Sequence, residues 1–325
     1  MRAMRFHEFG GPERLREDVI DRPNPGVNEV LIELSATAVN PADWLRVVSP
    51  EVGLGVQMPY TPGMDFAGVV REVGSDTVGL QVGDHVYGAE FIGRCGTYAE
   101  YAAVPADIVA SAPKSIALHE AAAVPLAAMT AWEVLGRNHA DIRAGQRVLI
   151  QGGAGGTGSF AVQFAKRHGA HVIATSSARN HDLLRSLGAD EVVDYQSARW
   201  KDAVRAVDAV VDLVGGEAPL SSISLIREGG VLASIVPMPQ TVAACKAAVA
   251  NQNIRLSFVD MSVNRDTAVL EMIARLIDLG ELKAVVSGTY PLAQAAQALE
   301  RSRAGHVSGK LVLTIAALKS SGSRT

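Results

Sequence analysis

One stretch constrains the fold more than any other: RVLIQGGAGGTGSFAVQFAKRHGAHVIAT, residues 147–175. An apolar run at 147–151 passes directly into a glycine-rich turn. A segment with Phe160 and Phe164 one helical turn apart follows, and then a second apolar run at 171–175. Strand, tight turn, helix and strand make a βαβ unit, which demands a right-handed crossover and a parallel sheet covered on both faces. The phase Gly153-Ala-Gly155-Gly-Thr-Gly158 satisfies G-x-G-x-x-G. Without side chains the backbone can turn sharply and approach a pyrophosphate, whose charge is met by the unpaired N–H groups and dipole of the helix N-terminus. The six-residue pattern alone is weak. The strand before it and the helix after it make it a dinucleotide-binding candidate rather than a flexible turn that binds nothing.

The end of the second strand then selects between dinucleotides. An acid there bonds the 2′-hydroxyl of NAD, whereas a 2′-phosphate calls for hydroxyls and a cation. The strand runs out in Thr175-Ser176-Ser177-Ala178-Arg179. Residues 142–181 contain no Asp or Glu, yet hold Arg143, Arg147, Lys166, Arg167 and Arg179. In a chain with a formal charge of −4, that local asymmetry points to NADPH. A structural reading competes: Ser177 or Asn180 caps the next helix, and Arg179 is a solvated side chain.

The 325-residue chain is long for one core, so two domains are expected. Before residue 120 short strands are punctuated by Gly and Pro, at 29–39, 66–74, 83–91 and 96–104, the texture of an irregular, mostly β domain. An alanine-rich helical run from about 119 then leads into alternating strands and helices, with strands at 147–151, 171–175, 191–195, 208–214, 230–236 and 254–259. This is the pattern of an α/β, doubly wound parallel sheet. The expected boundaries are 1–120 with 281–325 for the first domain and 121–280 for the second, the final strand GKLVLTI rejoining the first. The negative net charge gives no general footprint for nucleic acid or an anionic membrane, and the N-terminus carries no signal-peptide core. A cytoplasmic protein acting on a small molecule is the expectation. Cys95 and Cys245 are the only cysteines, which argues against a disulfide framework and a cysteine-only zinc site.

Motifs spread over nearly the whole chain extend this reading: GVNEVLIELSATAVNPADWLR, PYTPGMDFAGVVREVG, VGDHVYG, GTYAEYAAVP, AAAVPLAAMTAW, VLIQGGAGGTGSFAVQFAK, LGADEVVDY and SGKLVLTI. In this order they resemble the medium-chain dehydrogenase/reductase superfamily, in its zinc-free NADPH:quinone oxidoreductase (zeta-crystallin-like) branch. The resemblance implies a GroES-like catalytic domain built from both ends of the chain, an inserted Rossmann domain, and an active site in the cleft. It also implies residue roles. Asn40 and Asp43 lie at the cleft, Thr130 at the start of the MTAW helix meets the nicotinamide half, and Gly153, Gly155, Gly156, Thr157 and Gly158 form the pyrophosphate loop. Ser176, Ser177, Arg179 and Tyr195 surround the 2′-phosphate. Lys310 either reaches the cleft and cofactor or lies on a solvated face. Asn40 otherwise fixes the turn before Pro41, Asp43 caps a helix, and Tyr195 packs on a strand end.

Alcohol dehydrogenases of this superfamily carry a catalytic metal, but their first-domain cysteine falls where this chain has Asn40-Pro41-Ala42-Asp43. Their glycine-histidine-glutamate segment is replaced by Gly63-Met64-Asp65. The eight histidines, His85 included, show no spaced ligand set, so no metal is expected. Without a Lewis acid, hydride addition to a polarised C=C or to a quinone is the reaction that needs least help. Many relatives carry tyrosines shortly after the asparagine-proline pair; here Trp44 and Leu45 stand instead, leaving Tyr60 as a candidate substrate-facing phenol. The expected function is therefore NADPH-dependent reduction of a quinone or an α,β-unsaturated carbonyl. Zinc-free reduction of a ketone or of a pathway-specific enoyl intermediate is the alternative within enzymes, and an NADPH-binding structural or regulatory protein is the alternative outside them. The apolar run IRLSFV at 254–259 reads as a sheet edge through which a homodimer pairs.

Overall fold

The computed structural model describes residues 1–53, 55–90, 96–260 and 266–315. Cys95 and the last residue of the strand expected at 83–91 lie outside them. The chain divides into two compact units, Met1–Leu126 with Arg265–Thr325, and Ala127–Asn264.

The first unit is built on a seven-stranded sheet in the order Val286–Pro291, Lys310–Thr314, Glu29–Ala38, Asp65–Val73, His85–Ala89 and Val109–Ser111, with Tyr101–Pro105 also paired to Glu29–Ala38. The pairs are antiparallel except that between Val286–Pro291 and Lys310–Thr314. Strand Glu29–Ala38 is ten residues long, and Val30, Ile32 and Leu34 on one of its faces enter a core with Phe6, Phe66, Tyr98, Leu299 and Leu313. The expected return of GKLVLTI to this unit is seen in Val312 pairing with Ala38 and Leu313 with Thr37.

The second unit holds a six-stranded parallel sheet in the order Glu191–Asp194, His171–Ser176, Arg147–Gln151, Val207–Asp212, Ile226–Ser234 and Arg255–Phe258. By position in the chain this is 3-2-1-4-5-6, the doubly wound dinucleotide-binding order, and its direction reverses between Arg147–Gln151 and Val207–Asp212. Leu149 and Ile173 pack into a core with Ile223 and Cys245, while the intervening Val148, Ile150 and Val172 are also buried. Burial at both parities is what a sheet covered on both faces requires.

The compact units divide the chain at Leu126 and Arg265, where the expected boundaries are 120 and 280. The first unit continues to Leu126, and the helix Thr267–Asp278, assigned above to the Rossmann domain, belongs to the first unit. Its apolar face reads equally well against any core. The hydrogen bonds identify its partners: the Tyr87 hydroxyl donates to the Leu270 carbonyl at 2.5 Å, and Asp278 Oδ1 accepts the Lys114 and Ser115 N–H groups, each at 2.8 Å.

Candidate functional site

In the second unit, Gly152 carries φ +76° at the end of strand Arg147–Gln151 and starts the turn that the motif predicts. The turn is pinned by Gly155 N–H to the Gly152 carbonyl at 3.0 Å and by Gly153 N–H to the Thr175 carbonyl at 3.1 Å. Helix Gly156–Arg167 follows, with Gly155 as its N-cap. Close approach explains the third motif glycine: a Cβ on Gly158 would lie 2.1 Å from the Gly152 oxygen. One on Gly153 would lie 2.9 Å from the Ala174 Cβ. The amides of Gly156, Thr157 and Gly158 head the helix and have no intrahelical acceptor by geometry. These three residues and Gly155 therefore suit a pyrophosphate, as the motif requires.

The strand end that follows brings several expected residues together. Thr175 and Ser176 are buried, Ser177 is half-buried and Arg179 is exposed. Tyr195 N–H donates to the Ser176 carbonyl at 3.3 Å, which sets the half-exposed Tyr195 beside this loop. The Ser176 hydroxyl donates to the Ser177 carbonyl at 3.0 Å, so it must rotate to meet a phosphate. Neither Ser177 nor Asn180 caps its helix through a side-chain bond. One neighbour escaped the linear reading. Asp194 stands opposite Ser176 in the parallel register, its Oδ1 accepting the Gln196 N–H at 3.0 Å. The acid-free window 142–181 is thus bordered by an acid from the next strand.

At the point where the sheet order reverses, Asp212 is fully buried. Its Oδ1 accepts the Val214 and Gly215 N–H groups, both at 3.0 Å, and its Oδ2 accepts the Ser234 hydroxyl at 2.6 Å. Gln151 donates from Nε2 to the Ala218 carbonyl at 2.9 Å. Together they fix the turn Leu213–Glu217, in which Gly215 and Gly216 both have positive φ, at the crevice where ligands of such sheets sit. The sequence signal was available: a buried strand ending in Asp and running into Gly-Gly. Thr130 is buried and lies in the middle of helix Pro125–Leu135, not at the helix start expected for it.

In the first unit, Asn40, Asp43 and Lys310 converge, joined by Asp65 and Tyr98. All five are buried. Asn40 precedes helix Pro41–Leu45, yet its side chain does not cap it. Asn40 Nδ2 donates to Asp65 Oδ2 at 2.8 Å and to the Ala38 carbonyl at 3.2 Å, and Asn40 Oδ1 accepts from Lys310 Nζ. Asp43 does the capping instead, its Oδ2 accepting the Asn40 N–H at 2.8 Å and the Tyr98 hydroxyl at 3.0 Å. Asp65 Oδ1 accepts the Leu126 N–H at 2.7 Å, and Lys310 Nζ lies 3.2 Å from Asp65 Oδ2. Lys310 therefore has no solvated face. Burial lifts the Asp43 carboxyl to about 7, against the opposing pull of the Asn40 N–H, Lys310 and Tyr98. Burial likewise pushes the Tyr98 phenol well up. Nothing in the spacing of positions 40, 65, 98 and 310 announces this cluster.

Two neighbours do structural work. Tyr60 pairs through its backbone with Phe6 and packs in the core, its hydroxyl accepting from Arg46 Nη1 at 3.3 Å. Trp44 packs against the same core and donates from Nε1 to the Ser302 hydroxyl at 3.2 Å. Among the described residues no three His, Cys, Asp or Glu side chains are grouped as a metal site, and no helix is long and apolar enough to cross a membrane.

Residues 26–114 match the family described as "Alcohol dehydrogenase GroES-like domain", and residues 187–313 match that described as "Zinc-binding dehydrogenase". Among curated relatives, 2-methylene-furan-3-one reductase of Solanum lycopersicum is 34% identical over 96% of this chain and 79% of its own length. The chloroplastic NADPH-dependent alkenal/one oxidoreductase of Arabidopsis thaliana is 35% identical with the same coverage, 96% and 79%. Among solved structures, the quinone oxidoreductase of Coxiella burnetii superposes with a TM-score of 0.91 at 32% identity, covering 97% of this chain and 99% of that one.

Proposed function

Because this chain belongs to the medium-chain dehydrogenase/reductase superfamily, in its zinc-free quinone oxidoreductase branch, we propose that it is an NADPH-dependent reductase of α,β-unsaturated carbonyl compounds and quinones. The observation that carries the reading is the glycine turn at the head of helix Gly156–Arg167, at the carboxyl edge of a 3-2-1-4-5-6 sheet whose next strand ends in hydroxyls and an arginine. When bound there, a reduced nicotinamide cofactor supplies a hydride.

The amides of Gly156, Thr157 and Gly158 receive the pyrophosphate, and the side-chain-free edge at Gly153 and Gly155 lets it approach. Thr175, Ser176 and Ser177 provide hydroxyls for a 2′-phosphate, Arg179 provides the cation, and the exposed Tyr195 borders it. Asp194 Oδ1 accepts the Gln196 N–H, and the cation at Arg179 supports the phosphate reading. Thr130 is assigned to the nicotinamide half, and Asp212 and Gln151 hold the turn Leu213–Glu217.

On the substrate side, the buried cluster of Asn40, Asp43, Asp65, Tyr98 and Lys310 supplies fixed polar groups. Rigid placement of such groups is what lowers the barrier for hydride addition to a polarised double bond. Asp43 acts through its bond to the Asn40 N–H, and Tyr60 supports the site from the core. Strand Arg255–Phe258 forms one edge of the parallel sheet, and a homodimer pairs through it. A monomeric mass in light scattering at micromolar protein contradicts that assembly. The activity itself is tested by NADPH consumption with 9,10-phenanthrenequinone, 1,4-benzoquinone, enones and alkenals. Turnover of at least one class is expected; none across the set, with tight NADPH binding retained, refutes the reading.

A further inference from the structure

The adenosine end of the cofactor turn holds one group that a 2′-phosphate does not call for. Hydroxyls and a cation suit such a phosphate; a carboxylate at the end of the neighbouring strand does not. The position of Asp194 follows from the sheet. Asp194 and Ser176 are partners in the parallel register of Glu191–Asp194 with His171–Ser176. Their side chains therefore stand on one face of the sheet, on backbones about 4.8 Å apart. That face carries the glycine turn: Ala174, two residues before Ser176 and on the same side, has its Cβ 2.9 Å from where a Cβ on Gly153 would lie. The Tyr195 N–H, bonded to the Ser176 carbonyl at 3.3 Å, keeps the two strand ends together.

This end of the sheet is open. Asp194 and Ser177 are half-buried, and Arg179, Tyr195 and Gln196 are exposed. The Asp194 carboxylate takes one hydrogen bond, from the Gln196 N–H to Oδ1 at 3.0 Å, and among the described residues it pairs with no Lys, Arg or His side chain. The bond fixes a turn that needs an acceptor oxygen and not a charge, so asparagine makes the same turn. Two other acids near this loop are accounted for. Asp190, before the start of the same strand, meets Lys166 at 2.6 Å and accepts the Val172 N–H at 2.8 Å. Asp182, on the helix that follows the loop, pairs with Arg185 at 2.9 Å with its side chain fully in solvent. Asp194 is thus the acid that stands beside the serine hydroxyls without a cation of its own.

We propose that Asp194 is a specificity-determining residue of the adenosine site, its carboxylate opposing the 2′-phosphate of NADPH so that NADH remains a usable cofactor; this rests on the 2′-phosphate reading above. A phosphate monoester carries a charge of about −1.5 to −2 at pH 7, whereas NADH presents a neutral hydroxyl at the same position. Arg179 and the hydroxyls attract the phosphate, and Asp194 cancels part of that attraction. Specificity is the difference of the two affinities, and the acid keeps it narrow. At about 7 Å, and with an effective dielectric constant of about 60, the repulsion amounts to roughly 10-fold in affinity.

The test is isothermal titration of the full chain with two probes that lack the nicotinamide, 2′,5′-ADP and 5′-ADP, on wild type and Asp194→Asn. Circular dichroism checks folding, and Asp194→Ser, which also keeps an acceptor without the charge, is expected to give the same change. Asp194→Asn is expected to bind 2′,5′-ADP roughly 10-fold more tightly than wild type at about 0.01 M ionic strength, and to lose most of that gain at about 1 M, where the Debye length has fallen to about 3 Å. Its affinity for 5′-ADP is expected to stay that of wild type. No gain for 2′,5′-ADP in either variant, an equal gain on both probes, or a gain that salt leaves unchanged overturns the role of Asp194 alone. A wild-type protein that binds the two probes alike, with Arg179→Ala changing neither, overturns the 2′-phosphate reading and this proposal with it.

Discussion

Asp43→Asn removes a buried charge while keeping its hydrogen bonds. Both of the bonds that define Asp43, from the Asn40 N–H at 2.8 Å and from the Tyr98 hydroxyl at 3.0 Å, end on one oxygen, Oδ2. An asparagine whose oxygen takes that place accepts both. What changes is the ionisation. Burial raises the Asp43 carboxyl from 3.8 to about 7, so between those values the folded protein binds a proton that the unfolded chain has released. Stability is then complete below about pH 4 and declines as pH rises through about 7. At 1.36 kcal/mol per unit, a gap of about three units is worth about 4 kcal/mol in all, of which about 2 kcal/mol falls between about pH 5.5 and about pH 8. Urea denaturation of both proteins at these two values measures it. Asp43→Asn is expected to be the more stable protein at the higher pH and to lack about 2 kcal/mol of the wild-type decline. A variant that is less stable than wild type at both values, with an unchanged pH dependence, refutes the view that Asp43 is held against its own desolvation.

Arg179→Ala is expected to weaken NADPH binding by about 1–3 kcal/mol, roughly 5- to 150-fold, as for a charge-assisted hydrogen bond, while sparing NADH. Equal losses for the two cofactors in a fluorescence titration would remove Arg179 from the 2′-phosphate site. Gly158→Ala brings a Cβ to 2.1 Å from the Gly152 carbonyl oxygen. The turn must shift, at a cost of about 1–3 kcal/mol in stability by analogy with overpacked cores, and cofactor binding should fall with it. A melting temperature and an NADPH affinity both equal to wild type would show that the turn yields freely.

Local chemistry was legible in the sequence wherever neighbours in the chain are neighbours in space. The strand Arg147–Gln151, the glycine turn and the helix Gly156–Arg167 appear where apolar spacing and missing side chains place them. Helix Thr267–Asp278 was legible as a helix but not in its allegiance. Amphipathic spacing reports that one face is buried, and only the bonds to Tyr87, Lys114 and Ser115 identify the unit it is buried in. The substrate-side cluster was half legible. Asn40 and Asp43 sit three positions apart around a helix start, whereas Asp65 and Lys310 join them from two different strands, a juxtaposition created by sheet pairing. Asp194 shows the same limit from the other side. A window without acids along the chain borders an acid once parallel strands align Asp194 with Ser176.

The central claim, hydride transfer to a conjugated carbonyl or quinone, is tested most directly by isotope tracing. The purified protein is supplied with NADPH deuterated at the transferable nicotinamide position and an alkenone, and the product is read by NMR. The account predicts one deuterium at the β carbon and a solvent-derived proton at the α carbon. Deuterium at the carbonyl carbon of an allylic alcohol, or cofactor oxidation with no deuterium in the organic product, would contradict it.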